Sequence, residues 1–192
     1  VGDALPDPTV LPADLPVPED DGAARHLPGM AIPAITLTAT SGVQVNLAAL
    51  AGLTVVYAYP RTGRPGEALP EGWDMIPGAR GCTPQSCAFR DHHAELKALG
   101  VDHLFGLSTQ DTAYQREMAE RLHLPFAALS DADRKLTEAL RLPTFTVAGM
   151  VLLKRLTLII RDGVIEHVFY PVFPPDKSAE EVVAWLQGAK TH

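Results

Sequence analysis

Residues 53–60 read L-T-V-V-Y-A-Y-P. A nearly continuous run of apolar, β-branched and aromatic side chains, this short and without alternation, is the signature of a strand buried on both faces, and Pro60 ends it. Residues 60–80 are rich in Gly and Pro and follow no regular period, so they are expected to form a long loop of the kind that compact domains keep for a function. After the loop, residues 84–99 set Phe89, His92 or His93, Leu96 and Leu99 at helical spacing, with Gly100 as the stop. Strand, loop and helix thus form one unit, and the alternation continues. Residues 103–108 and 126–129 read as strands, and residues 112–122 and 133–140 as helices.

Outward from this unit the periodicity is that of an antiparallel sheet. Upstream, Ile35 and Leu37, the Ser41-Gly42 turn, then Val43, Val45 and Leu47 predict a short hairpin. Downstream, residues 156–160 and 164–170 flank Arg161-Asp162-Gly163, whose Asp-Gly step predicts a tight hairpin turn. Ser178 followed by Glu181 predicts a capping box for a last helix through Leu186, closed by Gly188. The fold class is therefore α/β, a central mixed sheet flanked by helices. Residues 1–28 carry six prolines among Asp, Glu and Ala, which disfavours helix and central strand. They are read as an extended arm ahead of one domain over residues 29–188 and a tail over 189–192.

The formal net charge of −7 excludes no enzyme but argues against a nucleic-acid or anionic-membrane partner. No apolar run approaches the ~20 residues that a bilayer-spanning helix needs. The opening V-G-D-A-L-P-D-P has neither the basic start nor the apolar centre of a secretory signal, so a cytoplasmic address is expected. The chain has 2 cysteines, which cannot make a disulfide framework, and their close spacing makes them a redox or metal pair.

Those cysteines lie in G-C-T-P-Q-S-C-A-F-R-D, residues 81–91, where the loop meets the helix. A cysteine at a helix N-terminus faces unpaired N–H groups and the positive end of the helix dipole, which favour the thiolate, the form that attacks. Pro84 suits the first helical turn. Cys87 is five residues on, about 7.5 Å along the axis at roughly 1.5 Å per residue, whereas a disulfide tolerates at most about 6.8 Å between Cα atoms. Joining the two sulfurs therefore requires the first turns of the helix to unwind.

The run at 81–91 resembles the active-site helix of the peroxiredoxins, of the bacterioferritin-comigratory or Q type. I-P-A-I-T-L, G-V-Q-V-N-L, V-V-Y-A-Y-P, L-S-D-A-D and R-L-T-L-I-I-R-D-G resemble the same family in the same order. The resemblance implies a thioredoxin-like fold and a thiol peroxidase that needs no cofactor. It makes Cys82 the peroxidatic nucleophile, Cys87 the resolving thiol, Gln85 the polar group one turn inside the helix, and Arg155 the guanidinium beside the thiolate. The implied partners are a hydroperoxide and thioredoxin or a similar dithiol, with the protein a monomer or homodimer. The family pattern of Pro, three residues, Thr, two residues, Cys is broken here, because Ala79 and Met75 stand at the Thr and Pro positions. Pro60 and Thr62 follow the strand as the family's Pro and Thr would, so either Thr62, by the loop folding back, or Thr83 is expected to supply the hydroxyl.

Other side chains have blander readings. Tyr57, Tyr59 and Phe89 read as core, with Tyr59 offered to the pocket wall. Trp185 reads as packing, Trp73 as a cover for the site or a partner surface, and residues 172–175 as an exposed apolar patch. Two rival functions differ in class. A thiol-disulfide oxidoreductase would usually space its cysteines by two residues, a spacing absent here. A copper or zinc carrier would use Cys82, Cys87, His92 and His93, a C-x4-C-x4-H-H array that matches no usual structural zinc pattern.

Overall fold

Alternating apolar positions on either side of Ser41-Gly42 close the expected hairpin, in which β1 (Thr36–Ala39) and β2 (Gln44–Asn46) pair antiparallel with Leu37 opposite Val45. The structure is a computed structural model that describes residues 11–62 and 67–190. The apolar run at 53 becomes β3 (Leu53–Ala58), every residue of which is buried. It is followed by α1 (Cys82–Asp91), α2 (His93–Ala98), β4 (Val101–Ser108), α3 (Thr112–Arg121), β5 (Ala127–Ser130) and α4 (Lys135–Leu140). Then come β6 (Thr144–Val147), β7 (Met150–Leu153), β8 (Leu156–Arg161), β9 (Val164–Phe169) and α5 (Ser178–Lys190).

Seven strands make the main sheet in the order β2-β1-β5-β4-β3-β8-β9. β3 lies parallel to β4, β4 parallel to β5, and the outer pairings are antiparallel. Because side chains alternate across a strand, β3 supplies both cores. Val56 and Ala58 face a cluster that includes Leu107, Leu129, Leu136, Leu140 and Leu158. Val55 and Tyr57 face the helices through Phe89, Leu96, Met118, Val182 and Leu186, a cluster that also holds Tyr59 and Cys82. The β8–β9 turn forms as the Asp-Gly step predicts, with Asp162 and Gly163 both at positive φ, 48° and 80°.

Four details differ from the sequence reading. The helix expected over 84–99 is broken at His92, whose backbone leaves the helical region (φ −99°, ψ 6°) while its ring Nδ1 lies 2.8 Å from the Ala88 carbonyl. The last helix runs through Gly188 to Lys190, and Ser178 is its first helical residue, with its hydroxyl accepting from the Gln85 side chain. α4 starts at Lys135, where Asp131 accepts from the amides of Leu136 and Thr137. The hairpin of β6 and β7 is a separate two-stranded sheet that the periodicity did not single out.

That small sheet gives the Gly- and Pro-rich segment something to fold on. A short 3-10 turn at Trp73–Met75 buries Trp73 against Phe145, Ala79 and Leu152, making a third, local core with Leu69 and Ile76. Residues 11–28 form turns without helix or strand and lie against the domain. Ala24 and Leu27 enter the first core, Asp21 accepts from Lys154 Nζ at 3.0 Å and from the Tyr170 hydroxyl at 2.7 Å, and Leu11 reaches Gly81. Residues 1–10 of the arm lie outside the described residues. The patch expected at 172–175 is not fully exposed, since Val172 packs inside and Pro175 is buried. Trp185 packs as expected, stacked on the His167 ring at 4.7 Å.

Candidate active site

Gly81 decides where α1 begins. Its φ of 115° lies in the left-handed region, and a Cβ there would stand 2.3 Å from Pro175 Cγ and 3.0 Å from Leu11 Cδ2, so only glycine fits both the turn and the close approach. The chain turns at Gly81 and Cys82 becomes the first residue of α1, in the first turn, where amide groups lack intrahelical partners.

Cys82 is 4% exposed. Arg155, between β7 and β8, crosses to it from the other side of the segment. Its Nη2 donates to Cys82 Sγ at 3.3 Å and to the carbonyls of Ala79 and Arg80 at 3.1 and 3.3 Å, while Nη1 donates to Gln85 Oε1. The guanidinium is itself buried, so its charge acts on the sulfur in a medium of low dielectric, where negative charge on Sγ is its natural complement. Gln85 Nε2 donates in turn to Ser178 Oγ at 3.2 Å. Behind the sulfur, Tyr57 stacks on Phe89 with ring centroids 4.4 Å apart and donates its hydroxyl to Ser86 Oγ at 2.9 Å. Burial pushes the Tyr57 phenol well up, so it stays a neutral donor.

A small hollow opens at Cys82, walled by Arg61, Leu69, Trp73, Arg80, Gly81 and Thr83. The loop expectation for Trp73 thus has a definite answer: the ring covers one side of the hollow while packed on the β6–β7 hairpin. The Thr83 hydroxyl is buried and has no hydrogen-bond partner among the described residues. Thr62 does not fold back onto the sulfur. Gln110 Oε1 accepts from its amide at 2.8 Å and its hydroxyl at 3.2 Å, because the loop leaves β3 alongside the end of β4. Pro60 is buried beside it, and Tyr59 is fully buried with its hydroxyl on Gln115 Oε1. None of the three lines the hollow.

Ala79, at the position of the family's Thr, contributes its carbonyl, which accepts from Arg155 and lies 3.9 Å from Sγ. Arg61 and Arg80 were not singled out from the sequence. Their signal was adjacency alone, Arg61 directly after Pro60 and Arg80 two residues before Cys82. Both cysteines are free, Cys82 buried and Cys87 half-buried. Burial pushes the Cys87 thiol up, with Arg90 opposing the shift. The C-x4-C-x4-H-H array is not gathered. His92 bonds along its own helix, His93 lies against Phe126, and among the described residues no three His, Cys, Asp or Glu side chains are placed to hold a metal.

The family model for redoxins matches residues 27–183. The chain belongs to the redoxin family. This redoxin is 29% identical over 185 residues to the chloroplastic peroxiredoxin Q of Oryza sativa subsp. japonica, covering 93% of this chain and 77% of that protein. Its fold is similar to that of the peroxidoxin BcpB from Mycobacterium tuberculosis, with TM-score 0.68 at 24% identity over 85% of this chain and 98% of the other. The bacterioferritin comigratory protein of Xanthomonas campestris aligns with TM-score 0.67 at 21% identity, over 85% of this chain and 98% of that one. These likenesses place the mixed sheet and its helices in the thioredoxin-like peroxiredoxin fold, and in sequence the redoxin is similar to peroxiredoxins of the Q type.

Proposed function

We infer that this redoxin is a thiol peroxidase in which Cys82 attacks the peroxide and Cys87 resolves the product. The observation that carries the reading is the buried Arg155 guanidinium 3.3 Å from a cysteine sulfur at the first residue of a helix. The Cys82 thiolate forms a bond to one peroxide oxygen and the O–O bond breaks, releasing water or an alcohol once the departing oxygen is protonated. The sulfur is left as sulfenic acid. Cys87 then displaces that oxygen as water and forms a disulfide, which a dithiol such as thioredoxin reduces with two electrons. Arg155 stabilises the anionic sulfur and the charge that develops on the departing oxygen.

The reading is supported by the Xanthomonas campestris bacterioferritin comigratory protein, which has alkyl peroxide reduction activity, and by the peroxiredoxin Q relatives. A reducing compartment such as the cytoplasm supplies the dithiol that the cycle requires. Both cysteines belong to one helix, so the cycle needs no second subunit and runs equally in a monomer or homodimer. Peroxide consumption with a dithiol donor tests it: wild type turns over, Cys82→Ser consumes no peroxide, and Cys87→Ser reacts once and stops. Turnover by Cys82→Ser would refute it.

Two finer expectations follow. Thr83 supplies the hydroxyl that Ala79 lacks, because its buried Oγ1 is uncommitted beside the sulfur. Thr83→Val is expected to lower the peroxide rate constant about tenfold, the effect of one lost hydrogen bond to a charged group, whereas Thr62→Val changes it less than about twofold. Rapid-mixing kinetics on the two variants decides between them. Cys87, held mostly as the neutral thiol, makes the second step pH-dependent: disulfide formation from sulfenic acid speeds up about tenfold per pH unit across the neutral range, measured by quenching the oxidised protein at timed intervals.

A further inference from the structure

The hollow at Cys82 has a cavity volume of about 10 Å³, room for one water-sized group. Only the terminal O–H of a hydroperoxide enters it, and whatever the second oxygen carries stays at the rim. Of the residues that wall the hollow, only Arg61 and Leu69 are half-buried and the others are buried, so these two make the rim. Arg61 is held there by uncharged groups. Its Nη2 donates to the Tyr114 hydroxyl at 3.2 Å, its guanidinium carbon lies 5.6 Å from the centre of that ring, and its buried Nε has no hydrogen-bond partner among the described residues. The Tyr114 hydroxyl donates in turn to Glu67 Oε2 at 2.9 Å, which keeps that carboxylate one hydroxyl away from the guanidinium. Arg80, by contrast, pairs with Asp74 at 2.9 Å, and Arg155 meets the sulfur at 3.3 Å. Among the described residues Arg61 makes no ion pair. Once Cys82 is a thiolate, the cation at the mouth of the hollow is the one that no anionic group touches.

We propose that Arg61 is a specificity-determining residue: it selects peroxides that carry a negative charge on the leaving side of the O–O bond. The inference rests on the thiol peroxidase reading above and names the substrate class of that site. The thiolate bonds to the terminal oxygen, the O–O bond breaks, and the electron pair departs with the second oxygen, which lies with its substituent toward the rim. An anionic substituent there meets a guanidinium already fixed in place, in a half-buried setting where charge is screened less than in water. The attraction strengthens as the departing oxygen takes up the charge of the sulfur. The chain as a whole carries a formal net charge of −7 and repels anions at a distance, so the selection is local to the hollow.

The experiment compares anionic with neutral reagents at Cys82 in the reduced full chain, in the Cys87→Ser background so that a single thiol reacts. Iodoacetate and iodoacetamide are alike in size and leaving group and differ in charge. Peroxymonosulfate and hydrogen peroxide are the anionic and neutral oxidants; with the first, Cys82 takes the terminal oxygen as sulfenic acid and sulfate departs. Rates are measured with Arg61, Arg61→Gln, Arg61→Lys and Lys97→Gln, the last removing a charge from an exposed position on α2. Each pair is read as the ratio of anionic to neutral rate, in which a change in the reactivity of Cys82 itself cancels. Arg61→Gln is expected to lower both ratios about tenfold, the effect of one contact between charged groups. Arg61→Lys, which keeps the charge, is expected to lower them at most about threefold, and Lys97→Gln less than about twofold. Ratios unmoved by Arg61→Gln, or lowered as much by Arg61→Lys or by Lys97→Gln, overturn the proposal. If neither oxidant converts Cys82 to sulfenic acid, the peroxidase reading fails by itself, and the alkylation ratio still decides whether Arg61 selects anions.

Discussion

Arg155→Lys is expected to lower the second-order rate of peroxide reduction by about 10²–10³-fold, the usual consequence of removing a preorganised donor from a site of developing negative charge. The substitution keeps a basic residue but loses both the planar fork and the charge that a buried guanidinium retains. The guanidinium is a planar fork, and it serves the sulfur, Gln85 Oε1 and two backbone carbonyls from two nitrogens. A lysine ammonium has three donors on one atom and a shorter reach, and it satisfies at most part of that set. Burial also favours the neutral amine, which would withdraw the charge altogether. Trp73 walls the hollow, so its fluorescence reports the first step in a stopped-flow experiment without added dye. A rate within threefold of wild type would mean that Arg155 holds the loop rather than the reaction.

Oxidation is expected to melt α1. Cys87 lies five positions after Cys82 in a helix that is regular from Cys82 to Asp91, a span of about 7.5 Å in axial rise alone against a Cα separation of about 6.8 Å at most in a disulfide. Forming the bond therefore breaks the first turns and pulls Phe89 off Tyr57, forfeiting a stack of about 0.5–1.5 kcal/mol beyond its buried area. Amide exchange over residues 85–91 should quicken about 10²-fold or more on oxidation, and that of β3, buried throughout, should not change. Hydrogen-exchange mass spectrometry on the reduced and peroxide-treated protein measures this, with Cys87→Ser as the control that oxidises without melting. Unchanged protection in a protein shown to carry the Cys82–Cys87 bond would contradict the helical spacing itself.

How much of this was legible depends on where the physics leaves its mark. A strand buried on both faces has no choice but apolar side chains, so β3 could be read directly, and the Asp162-Gly163 turn could be read because few residues tolerate its positive φ values. The break at His92 could not, since it turns on a ring nitrogen approaching a carbonyl one turn back, a contact with no periodicity. The β6–β7 hairpin was hidden because its strands are four residues each and its partner is the irregular 60–80 segment rather than a helix. In the site, Cys82 and Cys87 were visible from spacing and from their place at a helix start. Arg155 came only through family resemblance, because an arginine 73 residues from the sulfur carries no local signal. Ser178 was read as a helix cap, a reasonable use of a serine before an acidic turn, and it was misread because its hydroxyl is engaged from another helix.

The most direct measurement is to find where the first peroxide oxygen lands. Reduced Cys87→Ser and reduced Cys82→Ser are each mixed with one equivalent of hydrogen peroxide and trapped within seconds by a sulfenic-acid reagent, and the peptide spanning residues 81–91 is weighed. The account requires the adduct on Cys82 in near-stoichiometric yield in the first variant and no adduct on Cys87 in the second. An adduct forming on Cys87 as fast as on Cys82, or on neither, would show that the sulfur facing Arg155 is not the one that cleaves the peroxide.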